Sequence, residues 1–438
     1  MPKRKVLPVF VPKAQQPYQI PHNWRWVRLG TVCDFIGGGT PSKKNPAYWN
    51  GSIPWASVKD IKGSYLTDTI DAITEAGLQN SASNLCDIGD LILITRIEPA
   101  KTVIAKIVTA INQDLKIVKS PLSSLFLHYY FQAFRQSFLD MASGSTVLGI
   151  TISNVENAAF PLPPLAEQQR IVERIESLFT KLDAAREKAR EVVDGFELRK
   201  AAILHRAFTG ELTEQWRANN GASSGRKTVT IASVCHSLKY GTAKKSAKAG
   251  NVVVLRMGNL QGGEIDWSNL AYSNDEEDNE KYSLSPGDVL FNRTNSPELV
   301  GKTSIYRGEF PAIYAGYLIK LDYNRDIISG EYLNYMLNSP EAKEYCKTIK
   351  TDGVNQSNIN AKRIGAFLIP LPSLNEQKET EKRLQSILRK QLQVSEAAQQ
   401  VIDNIDAMKR AILGRAFRGE LGTNDPSEAG PDFAVTVR

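Results

Sequence analysis

The chain has 438 residues, of which 42% are hydrophobic and 23% charged, and its formal net charge at pH 7 is +7. This length can bury two or three ordinary cores, and no apolar run is long enough to cross a bilayer, so we expect a soluble, cytoplasmic protein without membrane contact. The four cysteines (Cys33, Cys86, Cys235 and Cys346) form no CxxC pair, which argues against a disulfide framework or a zinc site and favours reduced thiols.

The first 20 residues are predicted to form an N-terminal tail. They open with the basic run Met1-Pro2-Lys3-Arg4-Lys5, and prolines break the stretch that follows, unlike the apolar core of a signal peptide. Residues 21–160 form the first predicted globular domain. Its strand-like runs at 91–97 and 102–111 precede an apolar-periodic helix at 123–141, and the polar loop 143–146 follows.

Residues 161–212 are predicted to form one long helix. Its apolar residues follow one another at alternating steps of four and three, which is a heptad pattern: Ile171, Ile175, Leu178, Leu182, Ala185, Ala189, Val192 and Phe196. Pro163 and Pro164 precede the helix, Glu167 suits the positive end of its dipole in the first turn, and Gly210 is placed as a C-terminal cap.

A linker at 213–225 leads to a second predicted globular domain at 226–369. Its order is the same as in the first domain, with strands at 251–257, 289–293 and 313–321, a helix at 331–349 and a polar loop at 352–356. The two domains share little sequence, so we expect similar tasks on two different targets.

Residues 370–421 repeat 161–212 at a constant offset without a gap, and residues 422–438 form a C-terminal tail. The second heptad seam consists of Leu384, Ile387, Val394, Ala398, Val401, Ile405, Met408 and Ile412, with Gln391 as a polar intrusion. Identity is concentrated at the two ends of the repeat. Those ends either pack identically against the globular domains or bind two copies of one partner, and the sequence alone favours neither.

The duplication predicts an α+β fold in which two mixed domains are separated by two long helices with pseudo-two-fold symmetry. The most accessible partner for each helix is its own duplicate, because the connecting chain removes the cost of a bimolecular association. This predicts an antiparallel intramolecular coiled coil. The alternatives are a helix that packs on its own globular domain or forms a homodimer, with Gly195 marking a break.

Catalytic motifs are weak throughout the chain. Gly301-Lys302-Thr303 ends like a phosphate-binding loop, but Ser296 stands where the first glycine is required. Asn45-Pro46-Ala47-Tyr48 lacks an accompanying glycine-rich turn for a methyl donor, and the four histidines have no ligand or triad spacing. Glu98 and Lys101 are one residue away from a metal-dependent nuclease spacing. We therefore predict no catalytic residue, no metal site and no cofactor in this chain.

Polar loops suited to DNA remain in both globular domains. Glycines allow close backbone approach, lysines neutralise phosphate, and arginine, asparagine and glutamine can make bidentate contacts with base edges. The candidates with hydroxyl or ammonium groups are Thr40, Ser42, Lys43, Lys44, Lys101, Ser145, Thr146, Thr242, Lys244 and Lys245. The candidates with forked or amide groups are Arg96, Arg256, Asn259, Arg293, Asn295, Asn355 and Gln356.

The repeated motifs resemble the specificity subunit of type I restriction-modification enzymes. The resemblance is carried by Pro-Leu-Pro-Pro-Leu-Ala-Glu-Gln at 161–168, its counterpart at 370–377, and the Ala-Ile-Leu-x-x-Ala-Phe-x-Gly-Glu-Leu endings of both helices. The Gly-Thr-Pro turn at 39–41 and the segment 255–260 are also similar, so the resemblance covers nearly the whole chain.

The resemblance implies two target-recognition domains, each binding one half of a bipartite, interrupted site in double-stranded DNA, with the helices setting the spacer. It implies that two modification subunits dock on the duplicated helices and that restriction subunits join them, with S-adenosylmethionine, ATP and Mg in those partners. This favours partner binding by the matched ends: Glu167, Gln168, Arg206, Phe208, Glu376, Gln377, Arg415 and Phe417. A coiled-coil scaffold and a stand-alone DNA enzyme are the alternative functions.

Overall fold

The computed structural model describes residues 9–144, 146–221, 226–354, 356–422 and 424–431. The described residues form two compact units. Unit 1 is drawn from 1–189 and 400–438, and unit 2 from 190–399. Each unit therefore combines one globular part with a section of both long helices.

Unit 1 begins with a globular part of short strands and helices and continues into a long helix. Its strands are β1 (Arg25–Arg28), β2 (Asp34–Gly37), β3 (Trp49–Ala56), β4 (Tyr65–Leu66), β5 (Asp71–Ile73), β6 (Leu85–Cys86), β7 (Leu91–Ile94), β8 (Thr102–Ala105), β9 (Thr109–Ile111), β10 (Leu115–Lys119) and β11 (Ala159–Leu162). Its helices are α1 (Glu75–Gln79), α2 (Ser124–Ala133), α3 (Arg135–Asp140), α4 (Ile152–Glu156) and α5 (Leu165–Asp194).

The main sheet of unit 1 has the strand order β2-β10-β7-β8-β4, and all its pairs are antiparallel except β4 with β8. A second sheet has the order β5-β3-β9-β6, in which β3 and β9 run parallel. Strand β7 is buried at all four positions, as its continuous apolar sequence predicts. Helix α2 covers the main sheet, and its aromatic side chains fill the core.

Unit 2 begins with the helix that follows Gly195 and ends in the longest helix of the described chain. Its helices are α6 (Phe196–Thr209), α7 (Glu214–Asn219), α8 (Ile231–Val234), α9 (Glu276–Lys281), α10 (Gly330–Leu337), α11 (Pro340–Ile349), α12 (Ala361–Gly365) and α13 (Leu374–Ala416), the last of which continues into unit 1. Its strands are β12 (Lys227–Thr230), β13 (Cys235–Tyr240), β14 (Val252–Leu255), β15 (Leu260–Gln261), β16 (Glu264–Ile265), β17 (Tyr272–Ser273), β18 (Val289–Asn292), β19 (Thr294–Asn295), β20 (Thr303–Ile305), β21 (Ala312–Tyr314), β22 (Leu318–Tyr323), β23 (Thr351–Asp352), β24 (Ser357–Asn358) and β25 (Leu368–Leu371).

The sheets of unit 2 repeat the topology of unit 1 despite the divergent sequence. The antiparallel order β13-β22-β18-β20 corresponds to β2-β10-β7-β8, and the parallel pair β14–β21 corresponds to β3–β9. The pair β12–β25 corresponds to β1–β11. The prediction of an α+β fold built on an internal duplication is confirmed.

The repeated Pro-Leu-Pro motif is a strand rather than the start of the helix. Leu162 pairs with Arg25 across β1–β11, and Pro370 pairs with Thr228 across β12–β25. The helices therefore begin at Leu165 and Leu374, later than the predicted 161 and 370. Proline is tolerated in these two-stranded sheets because an edge strand does not need every backbone donor.

The two long helices are antiparallel within unit 1. Lys409 Nζ on α13 lies 2.6 Å from Asp183 Oδ1 on α5, and Asp406 pairs with Arg186. The residue number on α13 falls as the number on α5 rises, which defines the antiparallel direction.

The same direction holds within unit 2. Arg199 Nε on α6 donates to Gln391 Oε1 at 2.9 Å, and Leu204 shares a core with Leu384. Gly195 separates α5 from α6, so the break considered in the sequence occurs together with helix pairing, not instead of it.

The predicted seam on α13 needs correction at three positions. Leu384 and Ile405 are buried as expected, but Val394, Val401 and Met408 are 52%, 46% and 49% exposed. The partly buried residues lie one position later, at Ser395, Ile402 and Lys409. A search for apolar residues misplaces this line, because polar side chains can occupy a seam when they find partners; Lys409 has Asp183 and the ring of Phe179, 4.9 Å away.

The four cysteines are free thiols, and Cys33, Cys86 and Cys346 are buried. In the described ranges, no helix is long and apolar enough to span a membrane.

Candidate nucleic-acid interface

In unit 1, residues from three distant segments of the sequence meet at one surface. Thr40 donates a hydrogen bond to Gln113, whose amide donates to Asp114 Oδ2 at 3.3 Å. Asp114 also pairs with Arg96, with Nη1 and Oδ1 3.3 Å apart, and Arg96 forms a β-bridge with Gly149. The Gly-Thr turn, the loop after β7 and the 143–149 turn are therefore neighbours in the fold.

The loop after β7 has an unusual backbone. Ile97 and Ala100 have positive φ angles of 75° and 65°, which residues other than glycine rarely adopt. The Ile97 amide donates to Leu148 O at 2.8 Å, and Lys101 pairs with Glu98 at 2.9 Å. These contacts fix the loop on the 143–149 turn and leave the Ile97 side chain 55% exposed.

Most of the predicted DNA-contact residues of unit 1 are accessible. Ser42, Lys43, Lys44, Arg96 and Thr146 are exposed, as is Thr40. Ser145 lies outside the described residues. Arg96 and Lys101 both have carboxylate partners, so a phosphate or base that binds them must compete with Asp114 or Glu98.

In unit 2, the equivalent segments also meet. The backbone of Arg293 donates to Tyr317 O at 3.0 Å and accepts from the Ile359 amide at 2.8 Å. The Arg293 guanidinium lies 5.0 Å from the centre of the Tyr240 ring, one residue before the Gly241-Thr242 turn. Strand β19, next to Arg293, joins the β23–β24 ribbon in one sheet.

Two residues of unit 2 that were predicted to contact DNA have buried side chains. Thr242 is 5% exposed and donates to Asp278. Asn259 is 3% exposed; its Oδ1 accepts from the Arg256 amide at 2.9 Å, and its Nδ2 donates to Asp266 O and Asn269 O. Both side chains hold turns in place and use their donors within the protein.

Two further candidates are accessible but engaged within the protein. Lys244 lies 2.8 Å from Asp275 and 3.4 Å from Asp278, and its hydrogen bond lowers the pKa of the Asp275 carboxyl. The acidic run on α9 therefore neutralises this lysine. Arg256 Nη2 donates to the side chain of Asn269 at 3.1 Å. Lys245 and Gln356 are exposed, Asn295 is partly exposed, and Asn355 lies outside the described residues.

Sequence reasoning missed several accessible side chains at these surfaces. Tyr240 and Tyr317 are 42% and 50% exposed, and Val354 at the ribbon tip is fully exposed. In unit 1, Gln113 links the Gly-Thr turn to Asp114, the partner of Arg96; the loop after β7 that carries Arg96 is called the arginine loop. Aromatic residues next to glycine, as in Tyr240-Gly241 and Gly316-Tyr317, were an available signal, because an exposed ring can stack on a base.

The matched ends of the helices pack inside their own units, and six of the eight residues predicted to bind a partner are buried there. Glu167, Gln168, Phe208, Glu376, Gln377 and Phe417 are each 6% exposed or less. Gln168 Nε2 donates to Pro163 O at 3.1 Å, and Gln377 Nε2 donates to Pro372 O at 2.9 Å. The repeated glutamine therefore closes the turn between strand and helix. Arg206 and Arg415 remain exposed.

The phenylalanine at each helix end packs on an equivalent tyrosine. Phe208 lies 5.2 Å from Tyr332, and Phe417 lies 5.8 Å from Tyr130, measured between ring centres. Tyr332 and Tyr130 donate to backbone carbonyls of β25 and β11. Identical packing thus explains the concentration of sequence identity at the repeat ends.

The buried glutamate of unit 2 is held by two arginines. Glu376 Oε1 accepts from Arg217 at 2.7 Å, from Thr213 at 2.8 Å and from Arg226. Burial alone would raise the pKa of Glu376, but these hydrogen bonds outweigh it and lower the pKa below its usual 4.5. In unit 1, Glu167 pairs with Arg170, which also binds Glu428.

Comparison with known proteins agrees with a chain built from two similar units. The family model for the type I restriction modification DNA specificity domain matches residues 21–192 and 224–404. The type I restriction enzyme EcoKI specificity subunit of Escherichia coli (strain K12) is 23% identical over 424 residues, covering 92% of this chain and 90% of that protein. The putative MjaX specificity subunit of Methanocaldococcus jannaschii is 33% identical over 179 residues, 40% of each protein.

Two solved structures have a similar fold. The HsdS subunit from Thermoanaerobacter tengcongensis matches with a TM-score of 0.64 and 21% identity, over 92% of this chain and 99% of that chain. A chain from a structure describing complex assembly and conformational transition of the type I R-M system matches with a TM-score of 0.67 and 22% identity, over 92% and 100% of the two chains.

Proposed function

Because this chain belongs to the type I restriction modification DNA specificity family, we propose that each of its two units binds one half of a bipartite DNA target. The observation that carries this proposal is the meeting of the Gly-Thr turn, the arginine loop and the polar turn at one surface of each unit. These segments are distant in sequence, and they bring accessible cationic, amide and aromatic groups together. Such groups suit phosphate contact, base contact and stacking.

The target has two unlike halves, because the corresponding loops differ. The arginine of unit 1 is paired with Asp114, whereas Arg293 of unit 2 stacks on Tyr240. The ribbon of unit 2 carries a fully exposed valine at its tip. A framework shared by the two units, with different loop chemistry, implies that both bind the same kind of ligand with a different sequence.

The long helices set the distance between the half-sites and dock the modification subunits. Docking is supported by Val394, Val401 and Met408, which repeat every seven residues along α13 and are about half exposed. A stripe of this kind suits an apolar helix of a partner. The buried repeat ends act indirectly, because they fix each helix to its strand.

The chemistry of methylation and cleavage belongs to the partner subunits, which bind S-adenosylmethionine, ATP and Mg. This chain is a non-catalytic subunit that selects the DNA and places the partners. Among the described residues, no group of three or more His, Cys, Asp and Glu side chains is positioned to hold a metal ion.

The proposal is tested by co-expressing the chain with modification subunits and mapping methylated bases across the genome. We expect one interrupted motif with two different half-sites. The purified complex should bind this motif with an affinity that falls steeply with salt, because lysine and arginine displace counterions from phosphate.

The scaffold alternative predicts a different outcome. A chain that only assembles partners would leave methylation without a bipartite motif, and it would show no salt-dependent DNA binding of its own. A stand-alone enzyme would show turnover by the purified chain in the absence of other subunits.

A further inference from the structure

Arg293 of unit 2 is partly exposed and only weakly engaged by other groups of the protein. Arg293 makes no ion pair within the described residues, and its Nη1 reaches Gly316 O only at 3.5 Å. Its Nε is buried without a hydrogen bond. By contrast, Arg217, Arg307 and Arg325 of the same unit each pair with carboxylates. The guanidinium of Arg293 therefore retains donors for a ligand.

The position of Arg293 is fixed before any ligand arrives. Its backbone amide donates to Tyr317 O, and its backbone carbonyl accepts from the Ile359 amide. The Tyr240 ring beneath its guanidinium is fixed in turn, because the Tyr240 hydroxyl accepts from the Ala361 amide at 2.9 Å. A planar donor group that is stacked and anchored in this way loses little entropy on binding.

The surroundings of Arg293 suit the major groove of DNA. Thr294 Oγ1 donates to Asn358 Oδ1 at 2.6 Å, which joins the β23–β24 ribbon to the arginine strand. A two-stranded ribbon fits the width of the major groove, and an arginine fork matches the O6 and N7 acceptors of guanine. The backbone carbonyl of Tyr317, whose side chain is 50% exposed, accepts from the Arg293 amide.

We propose that Arg293 determines specificity by donating two hydrogen bonds to one guanine in the half-site bound by unit 2. This inference rests on the proposed function, since it assigns one base of that target to one side chain. Tyr240 is a positioning residue, which orients the guanidinium without contacting the base.

The test compares the wild-type chain with Arg293→Lys, each co-expressed with modification subunits, by mapping methylated bases across the genome. Lysine keeps the positive charge but loses the fork. We expect one guanine of one half-site to become degenerate, with discrimination at that position falling on the order of 10-fold to 100-fold. The other half-site should stay unchanged, which also shows that the chain is folded and assembled.

Arg325→Lys is the matched control. Arg325 also lies over a tyrosine ring, that of Tyr323 at 5.8 Å, but it is paired with Asp288. We expect this variant to methylate the wild-type motif. A change of motif in Arg325→Lys equal to that in Arg293→Lys would overturn the assignment.

If Arg293→Lys abolishes methylation, equilibrium binding of the purified complexes to the target and to its single-base variants provides the second measurement. Loss of discrimination at one guanine supports the inference. An unchanged preference at every base, or a wild-type motif with no G·C pair in the half-site read by unit 2, contradicts it. A wild-type complex without any bipartite motif contradicts the proposed function instead.

Discussion

At the scale of single residues, the buried carboxylates depend most strongly on their partners. Glu376 is 3% exposed, and Arg217 and Arg226 are also largely buried, so the three charges are stable only together. Removing one member of a buried ion pair leaves the others without compensation. The repeated Glu-Gln motif therefore has a structural role in each unit, whereas the family resemblance had favoured a partner-binding role.

We expect Glu376→Gln to lower the unfolding free energy of unit 2 by about 3 kcal/mol. Hydrogen exchange of unit 2 peptides measures this loss without assuming two-state unfolding of the whole chain. Glu167→Gln is the matched control, and it should cost less, since Arg170 keeps Glu428. Equal losses in the two variants would contradict the role given to the arginine pair.

The same glutamate makes unit 2 sensitive to acid. Its pKa is lower in the folded state than its usual 4.5, so its contribution is complete above that value and is lost as the pH falls through the folded pKa. We expect the stability of unit 2 to decline below a pH of about 4.5, and this part of the decline should be absent in Glu376→Gln. Hydrogen exchange at a series of pH values checks it.

At the scale of elements, the helices were the most predictable feature and their packing was less so. Heptad spacing and the caps identified both helices, because these signals are local in sequence. Val394, Val401 and Met408 were predicted to lie in the seam but are exposed. Which of two adjacent residues is buried depends on partners from the other helix, such as Asp183 and Phe179. Tertiary partners also decide which DNA-contact candidates are accessible. Thr242 and Asn259 are polar, but their side chains donate hydrogen bonds within the protein.

Gly210 ends α6 with φ of +92°, and a Cβ at this position would lie 2.6 Å from the Arg226 guanidinium. We expect Gly210→Ala to destabilise unit 2 by about 2 kcal/mol or more, through backbone strain and displacement of Arg226 from Glu376. Gly221→Ala is the control, with positive φ but no atom within 4 Å of the added Cβ. Hydrogen exchange should show a larger loss for Gly210→Ala, and a smaller one would refute the coupling to Arg226.

The exposed stripe on α13 gives a second prediction for the helices. We expect the double variant Val401→Glu and Met408→Glu to fold normally, because both side chains already contact water, but to lose co-purification with modification subunits. Asn404→Glu adds charge at an exposed position of the same helix and should assemble normally. Full assembly of the double variant would place the docking surface elsewhere.

At the scale of the whole molecule, the duplication separates two requirements on the sequence. The strand, the helix and the glutamine-closed turn between them recur in both units, while the loops on the candidate interfaces differ. The framework could be predicted from the repeat itself. The base contacts could not, because they depend on loop geometry that no local pattern encodes.

Removing seven matched residues from each long helix should shorten the unread DNA spacer and leave both half-sites unchanged. Seven residues rise roughly 10 Å along a helix, which corresponds to at most about three base pairs. Genome-wide mapping of methylated bases measures the new spacer. An altered half-site with the original spacer would refute the role of the helices as a ruler.

The glutamine that closes the turn between strand and helix in each unit has an evolutionary consequence. Gln168 and Gln377 donate to backbone carbonyls of prolines, so these two contacts require no particular side chain in the neighbouring loops. Recombination between the two repeats would therefore keep the glutamine turn on either side of the crossover, whereas Glu376 would still need Arg217 and Arg226 of its own unit.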